Sequence, residues 1–153
     1  MEIVRAETPQ QIEAARRLFR EYERFLNVDL CFQNFEAELA GLPGKYASPE
    51  GALFLAVDGS DAAGCVAVRK LEHGTCEMKR LYVRPEYRGS RVGRTLAVQI
   101  IEEAKRLGYD WMRLDTLDRL AEAVQLYRSL GFVQIPAYYP NPLPGVLYWE
   151  RKL

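Results

Sequence analysis

From Ile12 the apolar residues return at steps of three and four. Ile12, Ala15, Leu18, Phe19, Tyr22 and Leu26 form one stripe that predicts an amphipathic helix ending near residue 26. Its start is encoded just upstream, with Thr8 as N-cap, Pro9 at the first helical position and Gln11 at the third, where it closes a capping box. Ahead of it, Glu2 to Arg5 alternates and reads as a short strand. A second, shorter helical pattern runs from Asn34 to Leu42 and stops at the turn sequence Gly41-Leu42-Pro43-Gly44. From Ala52 the period changes: ALFLAV, CVAVRKL and CEMKRLYV, separated by DGSDAAG and EHGT, predict an antiparallel meander of three strands. Helical spacing returns in RVGRTLAVQIIEEAKRLG, with Val92, Leu96, Ile100, Ala104 and Leu107 inward and Gly108 as the stop. A strand (WMRLDTL), a helix closed by Gly131 (RLAEAVQLYRSLG) and two strands (FVQI and VLYWERK) complete the pattern.

Consecutive strands followed by a strand-helix-strand passage predict an α+β architecture, a mixed and mostly antiparallel sheet with helices on both faces. No repeat, low-complexity tract or linker interrupts the chain, so residues 1–153 are expected to form a single domain. Composition adds exclusions. With 21 basic and 21 acidic residues the formal net charge is zero, which removes the usual electrostatic drive for coating nucleic acid. No stretch approaches the ~20 apolar residues needed to span a bilayer, and the N-terminus lacks a basic segment followed by an apolar core. No membrane role is expected, and the expected location is the cytoplasm. Cys31, Cys65 and Cys76 have no CxxC spacing and read as buried thiols. His73, the single histidine, precedes Gly74 in an expected hairpin turn, so neither a metal site nor a Ser-His-Asp triad is expected.

In a neutral chain, the run RPEYRGSRVGRTL concentrates positive charge where a strand gives way to a helix. Backbone N–H groups at a helix N-terminus lack partners and the helix dipole is positive there, so the turn is a candidate anion site. Gly89 and Gly93 let a ligand approach the backbone, and Arg88, Arg91 and Arg94, spaced by three, can line one rim. The run matches neither GxxxxGK[ST] nor GxGxxG, and a pyrophosphate fits its character.

These residues resemble motif A of the GCN5-related N-acetyltransferases (GNAT), a family whose strand-to-helix turn reads (R/Q)xxGx(G/A). Arg88, Val92 and Gly93 fall in register, after the string LYVRPEYRG, and Arg91 replaces the middle glycine. If that position takes a positive φ, the replacement costs roughly 1 kcal/mol. Farther on, Ala123 to Phe132, with LYRSLGF, resembles motif B, although Leu120 stands where the family often has asparagine. The resemblance is strong over about residues 50 to 135.

The resemblance implies the GNAT fold, with a sheet splayed at the acetyl-coenzyme A site, and an N-acetyltransferase acting by direct attack in a ternary complex. It implies pyrophosphate donors in the backbone of Arg88, Gly89, Ser90, Arg91, Val92, Gly93 and Arg94. It also implies a pantetheine arm laid as an extra strand against Leu81 and Val83, with Tyr82 between them. Tyr127 matches the motif B tyrosine that serves as general acid, and Glu77 the base glutamate of one branch; ordered water is the alternative base. Glu77, Lys79, Leu81 and Val83 share one strand face unless a bulge intervenes. The acceptor pocket falls on residues 26–35 and 135–145. Phe32, Tyr138 and Tyr139 are expected to wall it, Asp29 or Gln33 to meet a polar or cationic group, and Arg80 to clamp a carboxylate. This suits a small, amino-acid-like amine. Two other readings stay open: acetylation of a protein lysine or N-terminus, and a noncatalytic acyl-coenzyme A-binding module. Many members of the family are dimers, so a homodimer is compatible with the resemblance.

Overall fold

The computed structural model describes residues 1–153. Seven strands form one sheet: β1 (Glu2–Arg5), β2 (Ala52–Asp58), β3 (Asp61–Glu72), β4 (Thr75–Val83), β5 (Trp111–Leu117), β6 (Val133–Ile135) and β7 (Val146–Lys152). Their order is β1-β2-β3-β4-β5-β7-β6, and every pairing is antiparallel except β4 with β5. Four helices cover it: α1 (Pro9–Leu26), α2 (Phe35–Ala40), α3 (Val92–Arg106) and α4 (Ala121–Ser129).

The alternation within β2 explains why both faces are covered. Ala52, Phe54 and Ala56 point into a core shared with Leu96, Ile100 and Tyr127 of α3 and α4. Leu53 and Leu55 point into a second core, with Leu18, Phe19 and Leu39 of α1 and α2. A strand buried on both sides must be apolar throughout, as ALFLAV is.

The ends of α1 follow the expected chemistry. Thr8 Oγ1 accepts from Gln11 N at 3.2 Å, and Gln11 Oε1 accepts from Thr8 N at 3.0 Å, so two N-terminal donors are satisfied reciprocally. Two boundaries differ from expectation. The β2–β3 turn is shorter than DGSDAAG, since Asp58 already pairs with Asp61 around Gly59 and Ser60. The second helix is trimmed to Phe35–Ala40, because Asn34 takes a left-handed conformation (φ 60°) in front of it.

Two irregularities in β4 create the working part of the molecule. First, β4 pairs with β5 only over Thr75–Glu77, so beyond Glu77 the edge of β4 that faces β5 has no strand partner. The sheet splays there. Second, the β3 register slips between Cys65↔Tyr82 and Ala67↔Lys79, around Arg80 at φ 61°. This bulge corrects the expected alternation: Leu81 and Val83 pack on the α3 side, whereas Lys79 precedes the bulge and shares the opposite face with its partner Ala67.

Candidate active site

Beside the splay lies a cleft of about 1000 Å³. Of the residues expected to hold the cofactor, Leu81, Tyr82, Val83, Arg88, Gly89, Arg91, Val92 and Gly93 all line it. Arg88 is fixed at its mouth, with Nε donating to Val83 O at 2.9 Å and the guanidinium 4.4 Å from the centroid of the Phe25 ring. Arg91 caps α3 in the left-handed region, at φ 64°. Arg88, Arg91 and Arg94 form no ion pair with any carboxylate, so the positive charge at this helix start is uncompensated. Ser90 and Arg94 stand outside the lining: Ser90 Oγ donates to Tyr87 O at 2.6 Å, and Arg94 Nη1 to Ser129 Oγ at 2.8 Å. The free β4 edge, the unpaired arginines and the glycine-bearing turn together fit an elongated anion with a peptide-like arm.

A slot of about 20 Å³ lies in the splay between β4 and β5; it shares Tyr22, Leu81, Asp115 and Tyr127 with the cleft and is also lined by Lys79 and Arg80. Tyr127 is 6% exposed and lines both cleft and slot. Its ring is held edge-on against Phe132 at 5.9 Å, and its hydroxyl bonds to no protein group. Burial, with lesser contributions from Tyr22 and Asp115, pushes this phenol well above its ordinary pKa, so it is protonated at neutral pH.

Beyond the slot, a cavity of about 510 Å³ lies between the α2 region and the loop joining β6 to β7. Phe32, Gln33, Tyr138 and Tyr139 line it, as expected. The loop is pinned from several directions. Tyr138 Oη donates to Glu77 Oε2 at 2.5 Å, Tyr139 Oη donates to Asp115, and Tyr148 Oη donates to Tyr139 O at 2.9 Å. Gly145 allows the return into β7 at φ 73°, where a Cβ would collide with Asp118.

Three expected roles need correction. Glu77 is 2% exposed, with Oε1 held by Arg69 at 2.9 Å and Oε2 accepting from Tyr138, so about three of its four acceptor positions are taken and it anchors the loop instead of standing free as a base. Arg80 is 4% exposed and gives a two-point interaction to Glu38, Nε to Oε2 at 3.0 Å and Nη2 to Oε1 at 2.8 Å, which leaves it unfit to clamp a substrate carboxylate. Burial opposes the charge on Glu38, but Arg80 outweighs it and holds that carboxyl below its usual range. Asp29 lies on a separate shallow depression with Glu23 and Asn27, away from Gln33 and the tyrosines, and it accepts from Cys31 N.

The sequence reading passed over two residues. Lys79 lines both slot and cavity and donates from Nζ to Gln33 Oε1 at 3.1 Å; burial, reinforced by Arg80, lowers its pKa to about 8. Asp115 lines both slot and cleft and accepts from Tyr139 and from Asn141 Nδ2, the latter at 3.3 Å. Each sits in a strand that carries other charged residues (Glu77 and Arg80 in CEMKRLYV, Arg113 in WMRLDTL), so the sequence pattern did not single it out.

A splayed mixed sheet with an anion-binding turn beside the splay defines an acyl-coenzyme A-dependent transferase fold. The profile of the acetyltransferase (GNAT) family matches residues 12–132, and the chain belongs to that family. An N-acetyltransferase of Schizosaccharomyces pombe is 46% identical over 147 residues, covering 95% of this chain and 90% of that protein. An IAA acetyltransferase of Azospirillum brasilense is 32% identical, covering 96% and 95%. In three dimensions, a GNAT acetyltransferase of Staphylococcus aureus superposes with a TM-score of 0.82 at 19% identity, covering 99% and 98%. The PaiA N-acetyltransferase of Thermoplasma acidophilum, solved in complex with coenzyme A, superposes with 0.72 at 18%, covering 100% of both chains. The protein is an N-acetyltransferase with acetyl-coenzyme A as cosubstrate. No helix is long and apolar enough to cross a membrane.

Proposed function

We propose that the protein acetylates the primary amine of a small molecule held in the 510 Å³ cavity, by direct attack in a ternary complex. The observation that carries this reading is that the cofactor cleft and the cavity lie on either side of one slot, where Tyr127 stands. The volume is that of a small-ligand pocket, and Tyr138 and Tyr139 of the β6–β7 loop help wall it.

Acetyl-coenzyme A supplies an activated acyl group. The chain's residues do the rest. The Arg88–Gly93 turn and the free edge of β4 hold the cofactor's anionic and pantetheine parts, which aims the acyl end at the slot. The acceptor amine, entering from the cavity, attacks as the neutral form; its surplus proton leaves to water beside Asp115, since Glu77 is engaged elsewhere. Tyr127 donates its phenolic proton to the departing sulfur and regains one from solvent. Burial keeps the phenol protonated, so the proton is in place when negative charge develops on the sulfur.

Thiol release from acetyl-coenzyme A, followed across panels of free amino acids, polyamines, aryl amines and a lysine peptide, tests the reading. The expected result is amine-dependent release with a small amine and intersecting initial-velocity lines. Release with the peptide alone, or parallel lines indicating an acetylated enzyme, would overturn it.

A further inference from the structure

The acceptor cavity contains charges that the fold leaves unanswered. Its ionisable lining residues, tyrosines apart, are Glu38, Lys45, Arg69, Glu77 and Lys79. Glu38 is matched by Arg80 and Glu77 by Arg69. Lys45 is exposed on the rim, in solvent. Lys79 lies where cavity and slot join, forms no ion pair, and touches only the neutral side-chain carbonyl of Gln33. Glu77, Asp115 and Glu38 lie within electrostatic range of it but none is in contact, and an ammonium drawn out of water with no direct anionic partner, facing a cavity, is a candidate half of a recognition pair. Asp115 is its counterpart. It faces the same slot, and its protein partners, Tyr139 and Asn141, are both neutral. Of the slot's three charged residues, Arg80 is paired with Glu38, which leaves one cation, Lys79, and one anion, Asp115, each hydrogen-bonded only to neutral side chains, on neighbouring strands of the splay.

We propose that the acceptor is an amino acid with a free carboxylate close to its amine, the carboxylate binding Lys79 Nζ and the incoming ammonium ordered by Asp115 before it loses its proton. This rests on the transferase reading above and replaces Arg80 with Lys79 as the carboxylate-recognising residue. The tyrosines and Phe32 remain available to the rest of the acceptor.

The test pairs L-phenylalanine, L-alanine and β-alanine with their amides as acceptors for wild type, Lys79→Met and Lys79→Arg. An amide's amine is less basic than the acid's, so more of it is neutral at pH 7.5, a bias against the expected result. Wild type should favour at least one acid over its amide by about tenfold or more in kcat/KM, mainly through KM. That ratio should collapse toward one in Lys79→Met and persist in Lys79→Arg, with coenzyme A affinity of both variants within twofold as a check of folding. Equal use of acid and amide by wild type, or a preference that survives Lys79→Met, would overturn the proposal.

A second arm, calorimetric titration of the coenzyme A-loaded protein with N-acetyl-L-phenylalanine, N-acetyl-β-alanine and their amides, does not depend on turnover. Binding of an acid that needs Lys79, without acetyl transfer to any amine, would remove the transferase reading and leave the carboxylate site standing. Absence of both transfer and Lys79-dependent binding would remove both.

Discussion

Glu77 shows how neighbours decide what a carboxylate can do. On an exposed strand it would be a candidate base; here Arg69 and Tyr138 occupy its oxygens and it is buried, so its main task is to tie the β6–β7 loop to the sheet. Glu77→Gln removes a charge-assisted pair while keeping the shape. The expected outcome is a loss of stability on the order of 2 kcal/mol in denaturant unfolding, with kcat lowered less than about tenfold. A thousandfold drop in kcat at unchanged stability would return the base role to Glu77. Arg91 is a different case. It occupies the left-handed conformation its position demands, at a cost of roughly 1 kcal/mol relative to glycine, and in exchange places a cation with no carboxylate partner at the cofactor cleft.

Among the elements, α1 is the most completely specified by its own sequence, from the Thr8 N-cap to the left-handed Asn27 after Leu26. Thr8→Ala deletes the acceptor for Gln11 N, and about 1 kcal/mol of stability should be lost, read from the shift of the urea midpoint at constant slope. An unchanged midpoint would mean that packing alone holds the helix. The strand and helix sequence was legible because periods of two and of three to four are imposed by burial, and the Ala52, Leu53, Phe54 alternation records both cores at once. The bulge at Arg80 was not legible. A slip of register depends on how β3 and β4 meet, and an arginine at positive φ carries no turn signal of its own. That one feature moved Leu81 and Val83 to the face opposite Lys79 and bound Arg80 to Glu38. The motif A turn could be placed from sequence because the residues that bring it to the cleft, Arg88 to Gly93, are contiguous. The cavity proposed for the acceptor was readable only in part, because it is assembled from the α2 region, β3, β4 and the β6–β7 loop, and pairings such as Tyr138 with Glu77 span 61 residues of sequence.

For the whole molecule, the splay of one sheet joins two cavities that would otherwise be separate. Because β4 and β5 stay paired through Glu77 and diverge beyond it, the proposed mechanism uses the opening between them both as the edge for the cofactor arm and as the meeting point with the amine. The slot's lining draws on both strands and on helices from both layers, Tyr22 of α1 and Tyr127 of α4. The central claim is that chemistry happens at this slot, with Tyr127 as the proton donor to sulfur. Its most direct test is Tyr127→Phe, assayed for turnover with a saturating amine and for acetyl-coenzyme A affinity by calorimetry. The ring and its packing on Phe132 are kept and only the hydroxyl is lost. The predicted result is a fall in kcat of about 100-fold or more with cofactor Kd within twofold. Turnover at the wild-type rate, or a fall matched by an equal loss of cofactor affinity, would contradict the claim.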